Sequence, residues 1–170
     1  MTEYELRPAT REDVPILFEL LLDLAEYEQL KESVKLTEQT FEEALFAKRP
    51  YIEAIMAFSE GKAVGFALYY HVFPTFLGKP GMYLEDIYVR PVARGHGIGR
   101  ALLATVARIA LDRGCGRIDW SVLNWNEPAI RFYQLLGAQP KSGWTIYQLE
   151  GEALEKTAEH GHPIKPTTDH

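Results

Sequence analysis

The run Tyr83 to Arg100, YLEDIYVRPVARGHGIGR, gathers groups that could do chemistry. Gly95, Gly97 and Gly99 alternate in a turn that opens onto the helically spaced LLATVARIALDR. Such a turn binds anions. Glycine lets the backbone approach a ligand closely, and the first-turn N–H groups lack helical acceptors. The helix dipole adds to the attraction. Arg90, Arg94 and Arg100 supply positive charge around the turn, so a diphosphate is the natural ligand. The glycines could also simply let a strand turn into a helix. Their alternation between arginines favours the anion site. Glu85 and Asp86 precede the turn and Tyr133 follows it, all side chains able to move or hold a proton.

Known phosphate loops narrow the choice. A P-loop needs Lys-Ser or Lys-Thr after its last glycine, whereas Gly99 is followed by Arg100 and Ala101. The dinucleotide fingerprint G-x-G-x-x-G fails on its last spacing, and no early strand leads into the loop. The pattern R-x-x-G-x-G fits from Arg94 through Gly97 to Gly99. That pattern resembles the acetyl-CoA loop of the GNAT acetyltransferase superfamily. Tyr83-Leu84-Glu85-Asp86, Trp125-Asn126-Glu127-Pro128 and Phe132-Tyr133 resemble its diamine branch. This branch holds the spermidine/spermine and thialysine acetyltransferases. The resemblance runs from about Tyr4 to about Leu154.

The resemblance implies an α/β (α+β) fold: a mixed, mostly antiparallel sheet with splayed central strands and helices on both faces. It implies acetyl-CoA as co-substrate, no metal, and direct attack of an amine in a ternary complex. Ile87, Tyr88 and Val89 would bond the pantetheine arm by backbone. Arg94, Gly95, His96, Gly97, Ile98, Gly99 and Arg100 would hold the diphosphate. Asn126 and Ala129 would border the cofactor at the splay. Tyr133 would be the acid that protonates the departing thiolate, and Glu85 the catalytic carboxylate that holds the cationic amine or accepts its proton, directly or through water. A backbone N–H near Ile87 would meet the oxyanion, freed by a bulge there. Tyr27 and Glu28 match substrate contacts, through cation–π and ionic attraction. Residue type alone would equally make Tyr133 a packing tyrosine, Glu85 a solvent-facing strand residue and Tyr27-Glu28 a polar helix end. Adjacent strand residues face opposite ways, so Glu85 and Asp86 should share a pocket only on an irregular strand.

The partner expected is a small cationic amine, a diamine, polyamine or thialysine-like amino acid. Ser142 and Asn124 stand where the spermidine branch carries acids, and this weakens the case for a long polyamine. Ala110 to Cys115 and Leu149 to Ala153 look more like the thialysine branch. Acceptors such as a peptide amine or an aminoglycoside remain alternatives, as does a non-catalytic acyl-CoA-binding module. The resemblance also implies a homodimer.

The elements around these residues follow from periodicity. Tyr4 to Arg7 reads as a strand, and Thr10 as the cap of a helix running to about Tyr27. Val14, Leu17, Leu20, Leu21 and Leu24 form its apolar face. A second helix after Thr37 turns Phe41, Ala44 and Leu45 inward. Strands are expected over Tyr51 to Phe58, Ala63 to Phe73, Leu84 to Val89, Arg117 to Leu123 and Trp144 to Leu149. Ser59-Glu60-Gly61-Lys62 is a hairpin turn. Helices are expected from about Gly97 to Arg113 and from near Asn126 to Leu136, the latter ended by Gly137. One domain spans 1–155, followed by a flexible tail over 156–170.

The 170 residues suffice for one core, at 46% hydrophobic and 25% charged. A net charge of -6 disfavours a nucleic-acid surface. The single cysteine, Cys115, excludes an intrachain disulfide and a cysteine zinc site. No leader or membrane-length apolar run is read, so the expectation is a cytoplasmic protein without membrane contact.

Overall fold

The computed structural model describes residues 3–166. Four antiparallel strands run in chain order: β1 (Tyr4–Pro8), β2 (Glu53–Ser59), β3 (Lys62–Val72) and β4 (Gly81–Val89). β5 (Ile118–Asp119) joins the far edge in parallel with β4. Glu60 and Gly61, at φ 51° and 75°, make the left-handed two-residue turn that joins β2 to β3. Contacts divide the chain into two compact units, Met1–Trp125 and Asn126–His170. The first holds the sheet with α1 (Val14–Tyr27), α2 (Glu38–Phe46) and α3 (Ile98–Asp112). The second holds α4 (Glu127–Leu135) and α5 (Gly151–Ala158).

Alternation along the strands sends side chains to two faces. On one face Ala54, Met56, Phe66, Leu68 and Tyr88 meet Val14, Leu17, Leu20 and Leu24 of α1 and Phe41 and Leu45 of α2. Leu21 and Ala44 sit half-buried at the margin of this core. The alternate residues Ile55, Ala57, Ala67 and Leu84 are buried on the other face. There α3, which packs on β2, β3 and β4, offers Ile98, Leu102, Val106 and Ala110 at helical spacing.

Polar clamps fix the helix ends. Thr37 Oγ1 accepts the Thr40 N–H at 3.1 Å and so caps α2. Arg113, at the end of α3, forms a bidentate pair with Glu53 of β2 at 2.6 and 2.9 Å. Asp13 accepts from the Thr10 N–H at 2.7 Å and from both Arg7 nitrogens at 2.6 and 2.9 Å.

Several expected strands differ. The strand expected from Leu84 begins at Gly81, because Val72 pairs with Gly81 and extends the ladder. The strand expected over Arg117 to Leu123 shrinks to Ile118–Asp119, since β4 pairs with only those two residues. Trp144 to Leu149 forms no strand. Its aromatic and branched residues favour a strand, but no ladder partner is present among the described residues. Gly151–Ala158 is instead helical, with a Lys156–Glu152 ion pair at 2.7 Å one turn apart, and it crosses the expected boundary at 155. Residues 161–166 carry no helix or strand, and 167–170 of the expected tail lie outside the described residues.

The Arg7 guanidinium and the Thr10 donors hold the Asp13 carboxyl at about 2, well below its ordinary range. This stabilisation is complete above the unfolded pKa near 3.8 and disappears as pH falls through the folded value. Asp13→Asn should therefore lower unfolding free energy by about 1–2 kcal/mol at pH 7, discounted for the part-exposed arginine. Urea unfolding should show that difference shrinking between about pH 4 and pH 2.

Candidate active site

β4 carries one residue too many for its partner. Leu68 of β3 lies opposite Asp86 and Tyr69 lies opposite Leu84, which leaves Glu85 as an inserted residue. Cross-strand partners share a face. Tyr70 pairs with Tyr83, their rings 5.2 Å apart, and Leu68 lies two residues before Tyr70. Tyr83 and Asp86 therefore lie on the same face, which only the bulge allows. That face is the one covered by α1 and α2. The Tyr70 hydroxyl donates to Glu85 at 3.4 Å, drawing Glu85 to this side as well. The two consecutive acids thus share one side of the strand. The irregularity lies at Glu85, two residues before Ile87, near which a bulge was expected.

The bulge also reverses the direction of the backbone donors. Before it, the Met82 N–H points toward β5 and reaches the Arg117 carbonyl at 3.0 Å. After it, the Arg90 N–H points toward β3 and reaches the Val64 carbonyl at 2.7 Å. Regular alternation would send both to the same edge. Beyond the bulge, the amides of Ile87 and Val89 turn to the β5 edge. That edge is unpaired past Tyr83, because β5 pairs only with Met82 and Tyr83. β4 and β5 thus part company, and open backbone donors line the gap.

The glycine turn follows directly. Gly95 and Gly97 adopt φ of 82° and 80°, a conformation costly to other residues. A Cβ on either would meet nothing within 4 Å, so the space above the turn is open. Gly97 precedes Ile98, the first residue of α3, and the first helical bond runs from the Ala101 N–H to the Gly97 carbonyl. The N–H groups of Ile98, Gly99 and Arg100 lie before that bond and have no intrahelical acceptor. Gly99 has an ordinary backbone conformation. His96 and Arg100 are exposed.

The arginines have varied tasks. Arg90 pairs with Asp23 at 2.9 Å and Glu19 at 3.7 Å, pinning the end of β4 to α1. Arg94 folds back instead. Its Nε donates to the Val89 carbonyl at 2.8 Å, and its guanidinium lies over the rings of Tyr27 and Tyr88 at 5.3 and 5.6 Å. Tyr27 also faces Trp125 with ring centres 6.0 Å apart. Glu28, half-buried at the end of α1, has its pKa raised by desolvation. Glu28 and Glu85 both act electrostatically on Asp86. The end of α1 and the bulge of β4 therefore bring Tyr27, Glu28, Glu85, Asp86 and Arg94 into one region.

The second unit holds the other expected residues. Asn126 caps α4, its Oδ1 accepting the Ala129 N–H at 3.4 Å. Pro128 sits in the first turn, where its missing N–H costs nothing. Tyr133 lies two turns after Asn126, its ring 5.6 Å from that of Phe132. Among the described residues no group of three His, Cys, Asp or Glu side chains is placed to hold a metal ion.

Asp86 is the acid that sequence reasoning left aside. Strand alternation turned it away from Glu85, and the available clue was the irregularity that alternation does not encode. Burial, reinforced by Glu85 and Glu28, pushes its pKa up to about 7.

Residues 15–138 match the family model described as Acetyltransferase (GNAT) family. The chain is 36% identical over 169 residues to a mouse thialysine N-epsilon-acetyltransferase, covering 93% of this chain and 99% of that protein. An integron cassette protein from the mobile metagenome of V. cholerae superposes with a TM-score of 0.78 at 29% identity, covering 94% of this chain and 99% of that one. An aminoglycoside N-acetyltransferase solved in complex with CoA has a TM-score of 0.70 at 22% identity, covering 87% and 95% of the two chains.

A carboxyl whose folded pKa is raised withdraws stability as pH climbs from its unfolded value, near 3.8, through about 7. Asparagine carries no such charge. Asp86→Asn should match the parent near pH 4 and exceed it by roughly 2–4 kcal/mol at pH 8 in chemical unfolding. Equal stabilities at pH 8 would contradict the buried, charge-crowded position.

Proposed function

The chain belongs to the acetyltransferase (GNAT) family, and from that premise we propose that it moves an acetyl group from acetyl-CoA to the primary amine of a small cationic molecule. The acceptor is a thialysine-like amino acid or short diamine, attacked directly in a ternary complex. The observation that carries the reading is the break in β4. It opens the Ile87 and Val89 amides beside the glycine turn and gathers acids on the face of α1. A thioester cofactor needs the first and a cationic amine the second.

In this reading Gly95 to Arg100 hold the diphosphate, while Arg94, expected to join them, is turned back onto the Val89 carbonyl. Ile87, Tyr88 and Val89 hold the pantetheine arm by backbone, and the Ile87 N–H meets the oxyanion. Asn126 and Ala129 border the cofactor. Tyr27, Glu28 and Glu85 receive the ammonium. Tyr133 donates the proton that lets coenzyme A leave as a thiol. The enzyme needs no metal and works in the cytoplasm as a homodimer. Among the described residues no helix is long and apolar enough to cross a membrane. A dimer would give cover to Trp144 and Tyr147, which are 82% and 92% exposed. Nucleic acid and membranes are not among the proposed partners.

Two measurements test the reading. Thiol release from acetyl-CoA should be followed with thialysine, lysine, putrescine, spermidine, spermine, an aminoglycoside and a basic peptide. Small amines should be acetylated, and Tyr133→Phe should lower kcat about 100-fold while acetyl-CoA binding stays within about threefold. Turnover confined to the peptide or aminoglycoside would overturn the substrate class. Gly97→Ala must place a side chain at φ 80° and put a methyl in the open mouth of the turn. Calorimetry should show acetyl-CoA binding at least about tenfold weaker. Unchanged affinity would move the diphosphate elsewhere.

A further inference from the structure

We propose that Asp86 is the base that takes the proton from the incoming ammonium, while Glu85 and Glu28 hold the cation. This role rests on the acetyl-transfer reading above. The bulge is its geometric cause. Had alternation continued unbroken through Glu85, Asp86 would point to the α3 face, away from Glu28 and from Tyr83. With it, Asp86 lies opposite the buried Leu68, and only like charges act on it.

Glu85 adjoins Asp86 on β4, and Glu28 approaches from the end of α1. Tyr70 of β3 spends its hydroxyl on Glu85. Tyr88, the next residue on the same face, lies under Arg94. Arg94 is held by the Val89 carbonyl and two tyrosine rings, and Arg90 by Asp23 and Glu19. Neither cation contributes to the field at Asp86. Among the described residues, none donates a hydrogen bond to the Asp86 carboxylate. A carboxylate without donors, short of water and beside two anions, binds a proton strongly at neutral pH. That is the affinity a base for an ammonium needs. Glu85 is exposed and already accepts one bond, which suits it to holding a cation.

The step balances. Asp86 carboxylate and R–NH3+ become the carboxylic acid and R–NH2. The freed lone pair attacks the thioester carbonyl carbon, forming C–N as C–S breaks. A second nitrogen proton replaces the one given to the thiolate, so coenzyme A leaves as a thiol. Asp86 then returns its proton to solvent, and the turnover releases one proton overall.

The test uses the full chain, saturating acetyl-CoA and the best amine of the panel. Profiles of kcat and kcat/KM are taken between about pH 5 and pH 9 for parent, Asp86→Asn, Asp86→Glu and Glu85→Gln. Asp86→Asn should lose about 100-fold or more in kcat, keep acetyl-CoA affinity within about threefold and lack the acidic limb near neutrality. Asp86→Glu should restore part of the rate with that limb displaced. Glu85→Gln should raise the amine KM about tenfold and retain the limb. Asp86→Asn within about threefold of the parent, limb intact, overturns the role, as does a limb lost in Glu85→Gln instead. A parent inactive on every amine brings down the acetyl-transfer reading and this role with it. An active parent with an unaffected Asp86 variant brings down the role alone.

Discussion

β4 has a full-length partner on one edge and a two-residue partner on the other. Everything distinctive in the first unit depends on that inequality. A strand held on one edge keeps its position while its second edge offers donors to a ligand. β3 supplies the position: Phe66 and Tyr88 stack at 6.5 Å, and the ladder continues to Gly65 and Val89. At Gly65 a Cβ would come within 2.7 Å of the Tyr88 carbonyl, so the two backbones approach there as closely as glycine permits. Arg90 then anchors the strand end to Asp23 and Glu19 of α1. The unpaired edge needs these restraints, because an open backbone group left dry costs about 1–3 kcal/mol. A cofactor that bonds there would recover that energy.

The inserted Glu85 links two properties that a regular strand would keep apart. It turns the later amides toward the open edge and the acids toward α1. Unbroken alternation through Glu85 would undo both, since it would send Asp86 to the α3 face and the Ile87 and Val89 amides toward β3. In the proposed reading, amine binding and cofactor binding therefore share one structural cause in this unit. The glycine turn depends on it as well. Val89 ends β4, its carbonyl holds Arg94, and Gly95 and Gly97 then reverse the chain into α3.

Much of this was legible in the sequence. Gly95 and Gly97 announced the turn, and both have the left-handed conformation that glycine permits. Helices were expected after Thr37 and near Asn126, and in the structure the side chains of both residues cap them. The apolar stripe of α1 identified its buried face. These signals are local. What failed was non-local. Trp144 to Leu149 has strand composition, but strands need a neighbour, and composition does not state which neighbours exist. Arg117 to Leu123 has the same composition and keeps only two paired residues because β4 turns away. α5 was missed for the opposite reason: its only large apolar residue is Leu154, so no stripe marked it. Asp86 was set aside by a valid alternation argument that a single inserted residue reversed. The bulge is a property of the pairing between β3 and β4, and neither strand shows it alone.

The acids explain why the acceptor should be a small cation. Three carboxylates drawn toward one region repel one another, and burial of Asp86 adds to the cost. No arginine in the region relieves it, since Arg90 and Arg94 are committed elsewhere. Functional sites commonly carry such a local conflict, which a ligand of opposite charge resolves. In the proposed reading one ammonium lowers the repulsion between Glu85 and Glu28, and Asp86 accepts its proton. A long polyamine brings further charges that need further acids. Asn124 and Ser142 are neutral at the two sequence positions where the polyamine-acetylating relatives were read to carry them. In the proposed reading, these two neutral positions favour a thialysine-like acceptor over spermine.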